Sequence, residues 1–176
     1  VAGISVFYLA MSRALDVLLA QNHVDPSRIA VTGLSGGGWQ TIVLAALDTR
    51  VSVAVPNAGY IDLGSRVKHP GDRGDIEQNA VDLAAIADYP TLTAMLAPRP
   101  ALLLYNQYDD CCFQTARAKP SVYEPVRPLY AALGRADRAF RRAARGAAAP
   151  GQTQKRPPPA VGRRSSTAAS SANESA

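Results

Sequence analysis

The sequence is poor in the residue types that build metal centres and membrane segments. Its 176 residues include two histidines, His23 and His69, and two cysteines, the adjacent pair Cys111 and Cys112. Two neighbouring cysteines with both histidines far away in sequence do not have the spacing of a zinc site. No apolar run approaches the length that crosses a bilayer. We therefore predict no metal, no cofactor and no membrane span.

Acidic residues are scarce only at the end of the chain. From Arg135 onward there are nine Lys and Arg against two Asp and Glu, whereas residues 1–134 hold ten against twelve. The formal net charge of +5 therefore comes from the last part of the chain, and the preceding part is mildly acidic. Because a basic surface is the electrostatic mark of nucleic-acid binding, we predict no nucleic-acid partner for residues 1–134.

The same final segment has few large apolar side chains. No aromatic residue follows Phe140, and Ala, Arg, Pro and Ser dominate. Such a composition cannot bury enough apolar surface to offset the entropy lost on ordering. We therefore predict a globular domain over residues 1–134 and a low-complexity tail over residues 135–176. This tail is either disordered, without fixed structure over residues 141–176, or an out-of-frame translation of GC-rich DNA.

Residues 1–134 alternate between helical and strand patterns. Apolar residues recur with a helical period over residues 5–20. Short apolar runs at 28–33, 51–55 and 100–105 predict buried strands. A strand, a helix and a strand at this spacing indicate a right-handed crossover in a parallel sheet. We predict an α/β fold with a parallel sheet and flanking helices, and a polar insertion over residues 57–89 that shapes a substrate entrance.

The first strand leads into the pattern G-x-S-x-G, formed by Gly33, Ser35 and Gly37. In a strand–turn–helix context this pattern is typical of a sharp turn that presents a nucleophilic serine. We expect a Cβ at Gly33 or Gly37 to collide with the crowded backbone. The N–H of Gly36 would lie at a helix N-terminus and could stabilise an oxyanion. A dinucleotide or P-loop motif fits less well, because Ser35 and Trp39 occupy positions that those motifs reserve for glycine and lysine.

A serine nucleophile needs a base and an acid that orients the base. With G-x-S-x-G the chain order is Ser, then Asp or Glu, then His. Asp109 and Asp110 follow the strand at 100–105, and we prefer Asp109 from its place in the loop. No histidine follows His69, so the expected base is absent. His69 precedes the acid and stands in the wrong order for the role.

The residues around the turn resemble a known superfamily. The run from Val24 to Gly38 resembles the α/β-hydrolases, and is closest to their acetyl xylan esterase and dienelactone hydrolase-like branch. Prolyl oligopeptidase-type peptidases share the lead-in to the turn. The run from Leu102 to Asp110 resembles the strand that carries the acid in that branch. The resemblance extends over about residues 5–135.

The resemblance implies a serine hydrolase of carboxylic esters, of the acetyl-ester type, with a small-molecule or carbohydrate ester as substrate. Ser35 would be the nucleophile that forms an acyl-enzyme, Asp109 the triad acid, and the N–H of Gly36 one oxyanion-hole donor. A prolyl oligopeptidase-type peptidase and a non-catalytic hydrolase-like fragment are the alternatives. The family's earlier strands would precede Val1, and its histidine region would follow Arg135. We therefore expect a partial α/β-hydrolase fold that is inactive when expressed alone.

The adjacent cysteines follow the proposed acid directly. A disulfide between neighbours along the chain closes a strained ring. We therefore expect Cys111 and Cys112 to be ordinary thiols, or one of them to pair with another part of the protein. A vicinal disulfide is the alternative.

Overall fold

A four-stranded parallel sheet forms the centre of the protein in the computed structural model, which describes residues 3–80, 82–109 and 111–144, with side chains as far as residue 139. Its strands are β1 (Ala30–Leu34), β2 (Val53–Asn57), β3 (Ala101–Asn106) and β4 (Ala139–Ala144). Their order in the sheet is their order in the chain, and each neighbouring pair is parallel. The three predicted strands and the parallel sheet are confirmed, each strand starting one or two residues later than predicted.

Helices fill the connections between the strands. They are α1 (Gly3–Leu19), α2 (Gly36–Leu47), α3 (Leu63–Lys68), α4 (Leu83–Ile86), α5 (Tyr89–Ala94), α6 (Thr115–Ala118) and α7 (Glu124–Ala132). Single turns of 3₁₀ helix occupy Pro70–Arg73, Ile76–Gln78 and Ala136–Arg138, and a π-helical turn occupies Lys119–Tyr123. Among the described residues, no helix combines the length and the hydropathy that a membrane crossing requires.

The helices cover one face of the sheet. α1 packs against α2, α2 against α5, and α5 against α7, as expected when right-handed crossovers connect strands in sequential order. Alternate residues of β3 are accordingly buried, beginning with Ala101, and those between them are half-buried. On the opposite face the side chain of Leu34 is 65% exposed. The second face of the sheet is therefore open within the described part of the chain.

The core joins α2 to the long connection between β2 and β3. Trp39 is completely buried, and its indole Nε1 donates a hydrogen bond of 2.9 Å to the hydroxyl of Tyr89. The Tyr89 hydroxyl donates in turn to the carbonyl of Gln78. The Tyr105 hydroxyl donates to the carbonyl of Tyr60 at 3.0 Å. These bonds satisfy the polar ends of large buried rings, which would otherwise be costly to bury, and they fix the insertion above the sheet.

The end of the sheet lies beyond the predicted domain boundary. Gly134 has a φ of 66° and follows α7, as the predicted helix cap requires. β4 then lies within the segment predicted to be low-complexity from residue 135, and Ala139–Ala144 pairs along the whole length of β3. The backbone pairing places 141–144 in a strand, which the composition of that segment did not indicate. The rest of the predicted tail, residues 145–176, lies outside the described residues.

Candidate active site

Ser35 occupies the turn between β1 and α2. Its backbone has φ 55° and ψ −118°, a left-handed conformation that is unfavourable for a residue with a Cβ. Two hydrogen bonds hold it there: Ser35 N–H donates to the carbonyl of Asn57 at 2.9 Å, and Trp39 N–H donates to the carbonyl of Ser35 at 3.0 Å. A strained serine between a strand and a helix is the geometry that G-x-S-x-G predicts.

Glycines make room for this turn. A Cβ on Gly33 would overlap the carbonyl oxygen of Gly37, and a Cβ on Gly38 would overlap the carbonyl oxygen of Ala58. Gly59, at φ 91°, passes so close to the carbonyl of Ser35 that a side chain there would overlap it. The expectation that Gly37 itself is crowded is wrong, because a Cβ there meets no atom within 4 Å. The space beside Gly37 is open, since the chain after β2 passes beside Gly38 instead.

Gly36 is the first residue of the 12-residue helix α2. The N–H groups of the first helical turn have no acceptor within their own helix. They also lie at the positive end of the helix dipole. The N–H of Gly36 follows Ser35 directly, so a negatively charged oxygen beside Ser35 would lie in the favourable field of this helix end.

Asp109 follows β3 by three residues and its carboxylate is held by neighbouring groups. Oδ2 accepts a hydrogen bond of 2.9 Å from Asn106 Nδ2, and Oδ1 accepts bonds of 2.9 and 3.2 Å from the N–H groups of Cys111 and Cys112. Partial burial raises the pKa of Asp109, but the donation from Asn106 and the two backbone N–H groups outweighs it and lowers the pKa below its ordinary value. The side chain is therefore an oriented, ionised carboxylate.

Ser35 and Asp109 lie at the same edge of the sheet. Parallel strands end on one side, and Ser35 follows β1 while Asp109 follows β3, with β2 between them. Neighbouring strands are about 4.8 Å apart, so the two loops are separated by about 10 Å at the strand ends. No hydrogen bond joins the two side chains across this gap in the described residues.

The histidines of the described region do not fill this gap. His69 is exposed and lies between α3 and the 3₁₀ turn at Pro70–Arg73. No hydrogen bond in the described part of the chain connects its side chain to Ser35 or Asp109. His23 is exposed in the loop before β1. Asp110, the second candidate for the acid, lies outside the described residues.

A buried ion pair ties the insertion to the loop that carries Asp109. Asp72 is fully buried, and both its oxygens accept from the guanidinium of Arg117. Its Oδ1 also accepts from the N–H of Phe113 at 2.6 Å. Burial raises the pKa of Asp72, but Arg117 and the Phe113 N–H outweigh it and lower the pKa. Sequence reasoning missed this pair, because no local pattern links two residues 45 positions apart.

The cysteines differ from the expectation. Cys111 and Cys112 are joined by a vicinal disulfide, so the prediction of two ordinary thiols is wrong. Potential ligand atoms of Asp109, Cys111 and Cys112 lie within 4.8 Å of one another. Sulfurs bonded to each other are not thiolates, and thiolates are the form in which cysteine binds metals. The arrangement therefore presents a carboxylate beside a disulfide.

Comparison with known proteins finds a similar family for the first part of the chain. Residues 5–72, which include most of α1, β1, Ser35 and the start of the insertion, match the model of the acetyl xylan esterase (AXE1) family. Over this segment the chain is similar to the acetyl xylan esterases. The α/β fold expected from the turn motif is confirmed by similar solved structures.

Individual relatives extend the comparison. The chain is 30% identical over 125 residues to the "Putative hydrolase YtaP" of Bacillus subtilis (strain 168), an alignment that spans 70% of this chain and 41% of the relative. The solved "Methylesterase BT1017" has a TM-score of 0.67 at 21% identity, covering 83% of this chain and 32% of that one. A "putative acetyl xylan esterase (BF1801)" from Bacteroides fragilis NCTC 9343 has a TM-score of 0.60 at 26% identity, covering 78% and 35%. The chain thus spans about a third to two fifths of the relatives' lengths.

Proposed function

We propose that the site is a serine esterase centre for carboxylic esters of carbohydrates, of the acetyl-ester type, with Ser35 as the nucleophile. The observation that carries the proposal is the strained conformation of Ser35 between β1 and α2, directly before the N–H of Gly36. Strained backbone of this kind is maintained by the surrounding structure where it serves a function. The match to acetyl xylan esterases over residues 5–72 supports the ester class.

The chemistry follows from these positions. Ser35 Oγ attacks the acyl carbon of the ester while a base removes its proton, and the carbonyl oxygen becomes an oxyanion that accepts from Gly36 N–H. The tetrahedral intermediate expels the alcohol and leaves an acyl group on Ser35. Water then attacks the acyl-enzyme, which releases the carboxylic acid and restores the serine. Asp109 would orient the base between the two loops and stabilise its positive charge.

The base is the missing part of this chain. No histidine follows Asp109 in the 176 residues, and His69 makes no hydrogen bond to either partner. Losing one member of a triad costs on the order of 10⁴ to 10⁶ in kcat. We therefore expect the chain expressed alone to be close to inactive on p-nitrophenyl acetate. The relatives described above are named as esterases or as a hydrolase, which favours ester substrates over peptides.

Added imidazole tests the proposal, because a small base can take the place of an absent histidine side chain. The assay compares the hydrolysis of p-nitrophenyl acetate by wild type, Ser35→Ala and the control Ser27→Ala, each with and without imidazole. We expect imidazole to stimulate wild type and Ser27→Ala above the rate of imidazole in buffer, and Ser35→Ala to show no stimulation. Mass spectrometry of peptides from the stimulated reaction should find the acetyl group on Ser35.

Two results would contradict the proposal. Equal stimulation of wild type and Ser35→Ala would show that Ser35 is not the nucleophile. Robust turnover without imidazole that disappears in His69→Ala would show that His69 is the base and that the expected chain order does not apply to this protein.

A further inference from the structure

The backbone of the two cysteines helps to hold the Asp109 carboxylate in place. The N–H groups of Cys111 and Cys112 both donate to Asp109 Oδ1, at 2.9 and 3.2 Å, and their sulfurs are bonded to each other. The Cys112 N–H lies within the disulfide ring, and the Cys111 N–H is attached to the ring at the Cys111 Cα. Opening the ring therefore removes a covalent restraint on the backbone that carries these two donors.

The disulfide ring is accessible to reagents, and its geometry is unusual for a disulfide. Cys111 is exposed and Cys112 is half-buried. Disulfides usually join Cα atoms about 4.4–6.8 Å apart, whereas these neighbours along the chain are 3.8 Å apart. Disulfides that depart from the usual geometry, or that are exposed, are the ones most easily reduced. Both conditions apply here.

The surrounding structure confines the effect to a few residues. Phe113 N–H donates to the buried carboxylate of Asp72, and Gln114 Nε2 donates to the carbonyl of Asp109 at 2.8 Å. Asn106 at the end of β3 holds the other carboxylate oxygen. The chain on both sides of the cysteine pair is therefore attached to the rest of the protein, which confines a change to the ring and the carboxylate that it holds.

We propose that Cys111 and Cys112 are a thiol–disulfide exchange site for small dithiols, and that opening the ring releases their N–H groups from Asp109. A thiolate of the dithiol attacks the sulfur of Cys111, the more exposed of the two residues, and Cys112 leaves as a thiolate that takes up a proton. The second thiol of the reagent then attacks the mixed disulfide, closing the reagent's own disulfide and releasing Cys111 as a thiol. The protein gains two hydrogens and the dithiol loses two.

The open and closed states differ in how firmly the acid is held. In the closed state the ring restrains both donors toward Oδ1, so the carboxylate keeps a fixed direction. In the open state the backbone regains its freedom, and the carboxylate keeps the bond from Asn106. Any effect of ring opening on catalysis rests on the role proposed above for Asp109. The effect on the hydrogen bonds of the loop does not depend on that role.

The sequence offers a direct measurement, because it contains only two cysteines. Selective ¹⁵N labelling of cysteine gives two backbone amide signals, one from each donor. The full chain, purified without reductant, is compared with the same chain after dithiothreitol. We expect two additional alkylated thiols after reduction, and amide hydrogen exchange of both cysteines faster by about tenfold or more. Fluorescence of the single, buried Trp39 should not change, which shows that the core remains folded.

Two variants distinguish the effect of the ring from the effect of the carboxylate on amide exchange. In Cys112→Ala no ring can form, so the Cys111 amide should exchange at the rate of the reduced wild type and should not respond to dithiothreitol. In Asp109→Asn the charged acceptor is gone, and exchange should be fast in both redox states. Free thiols in the unreduced protein, or reduction with unchanged exchange rates, would overturn the proposal. No ester is used, so a failure of the esterase proposal leaves this measurement unaffected.

Discussion

At the scale of single residues, the serine turn is shaped by glycines on two different segments. Gly33 lies two residues before Ser35, and its contact with Gly37 is contained within the motif. Gly59 lies after β2, yet a Cβ on Gly59 would overlap the carbonyl oxygen of Ser35. The strained serine therefore depends on a residue from a separate strand end, which holds the turn from the side.

Replacing Gly59 should destabilise the protein much more than replacing Gly37. Gly59→Ala introduces a Cβ at φ 91° that overlaps the Ser35 carbonyl, and we expect a loss of about 2–4 kcal/mol in the free energy of unfolding. Gly37→Ala adds a methyl group to open space in the first turn of α2. It should be neutral or stabilising by up to about 1 kcal/mol. Urea unfolding followed by circular dichroism measures both, and equal midpoints would contradict the role of Gly59.

At the scale of elements, the connection between β2 and β3 is attached to the acid loop by the Asp72–Arg117 pair. The carboxylate of Asp72 is shielded from water, whereas the guanidinium of Arg117 on α6 is partly accessible. A buried charge without its partner costs several kcal/mol, so the pair persists only while both elements are in place. The insertion above the sheet and the segment after Asp109 therefore form one supporting unit.

Asp72→Asn should cost about 1.5–3 kcal/mol of stability at neutral pH, because it removes the charged acceptor of the Arg117 guanidinium and the Phe113 N–H, while Arg117 stays partly hydrated. The pKa of Asp72 is lower in the folded state than in the unfolded state. Its contribution is therefore fully present above the unfolded pKa and is lost as the pH falls through the folded pKa. The difference in urea midpoint between wild type and Asp72→Asn should shrink on acidification from about pH 6 to about pH 3.

Glu124→Gln is the matched control for this charge change. Glu124 pairs with Lys119 and Arg127 at 3.5 and 3.6 Å, and all three side chains are well exposed. Exposed pairs contribute between about zero and 1 kcal/mol. A loss in Glu124→Gln as large as that in Asp72→Asn, or a difference for Asp72→Asn that does not depend on pH, would contradict the interpretation of the buried pair.

At the scale of the whole molecule, the sheet is covered by helices on one side only within the described residues. Among the described strands β1 pairs with β2 alone, and the open face presents the apolar side chain of Leu34. Exposed apolar area of this kind, next to an unpaired strand edge, favours association between copies. The open face contrasts with single exposed apolar residues elsewhere, such as Val67 on α3.

The purified chain should self-associate with increasing concentration, and Leu34→Lys should reduce the association. A charge on the open face opposes its burial in a contact between copies, since burying an unpaired charge is costly. Val67→Lys introduces the same charge at a side chain that is 83% exposed and away from the sheet. Sedimentation velocity over a range of concentrations should show weaker association for Leu34→Lys and no change for Val67→Lys. Equal effects would show that net charge, rather than the open face, controls association.

Sequence patterns that extend over a few residues predicted the fold. Contacts between residues that are distant in sequence could not be predicted. The three central strands and the serine turn could be predicted, because β-branched runs and G-x-S-x-G are local signals. The partner of Asp72, the crowding at Gly59 and the pairing of Ala139–Ala144 with β3 depend on residues that meet only after folding. Asp109 lies between these cases. The strand and loop that carry it could be predicted from local patterns. The disulfide ring at Cys111 and Cys112, which holds its backbone donors, was not expected from two adjacent cysteines.

The strands follow the same order in the sheet as in the chain, and this allows them to pair one after another during synthesis. A ribosome adds roughly 5–20 residues per second, so the residues of β3 are added roughly 2–9 s after those of β2 at that rate. Each new strand finds its neighbour already made, and no earlier strand has to wait for a distant partner. The serine turn can thus form on the nascent chain first, and the acid loop can join it before translation ends.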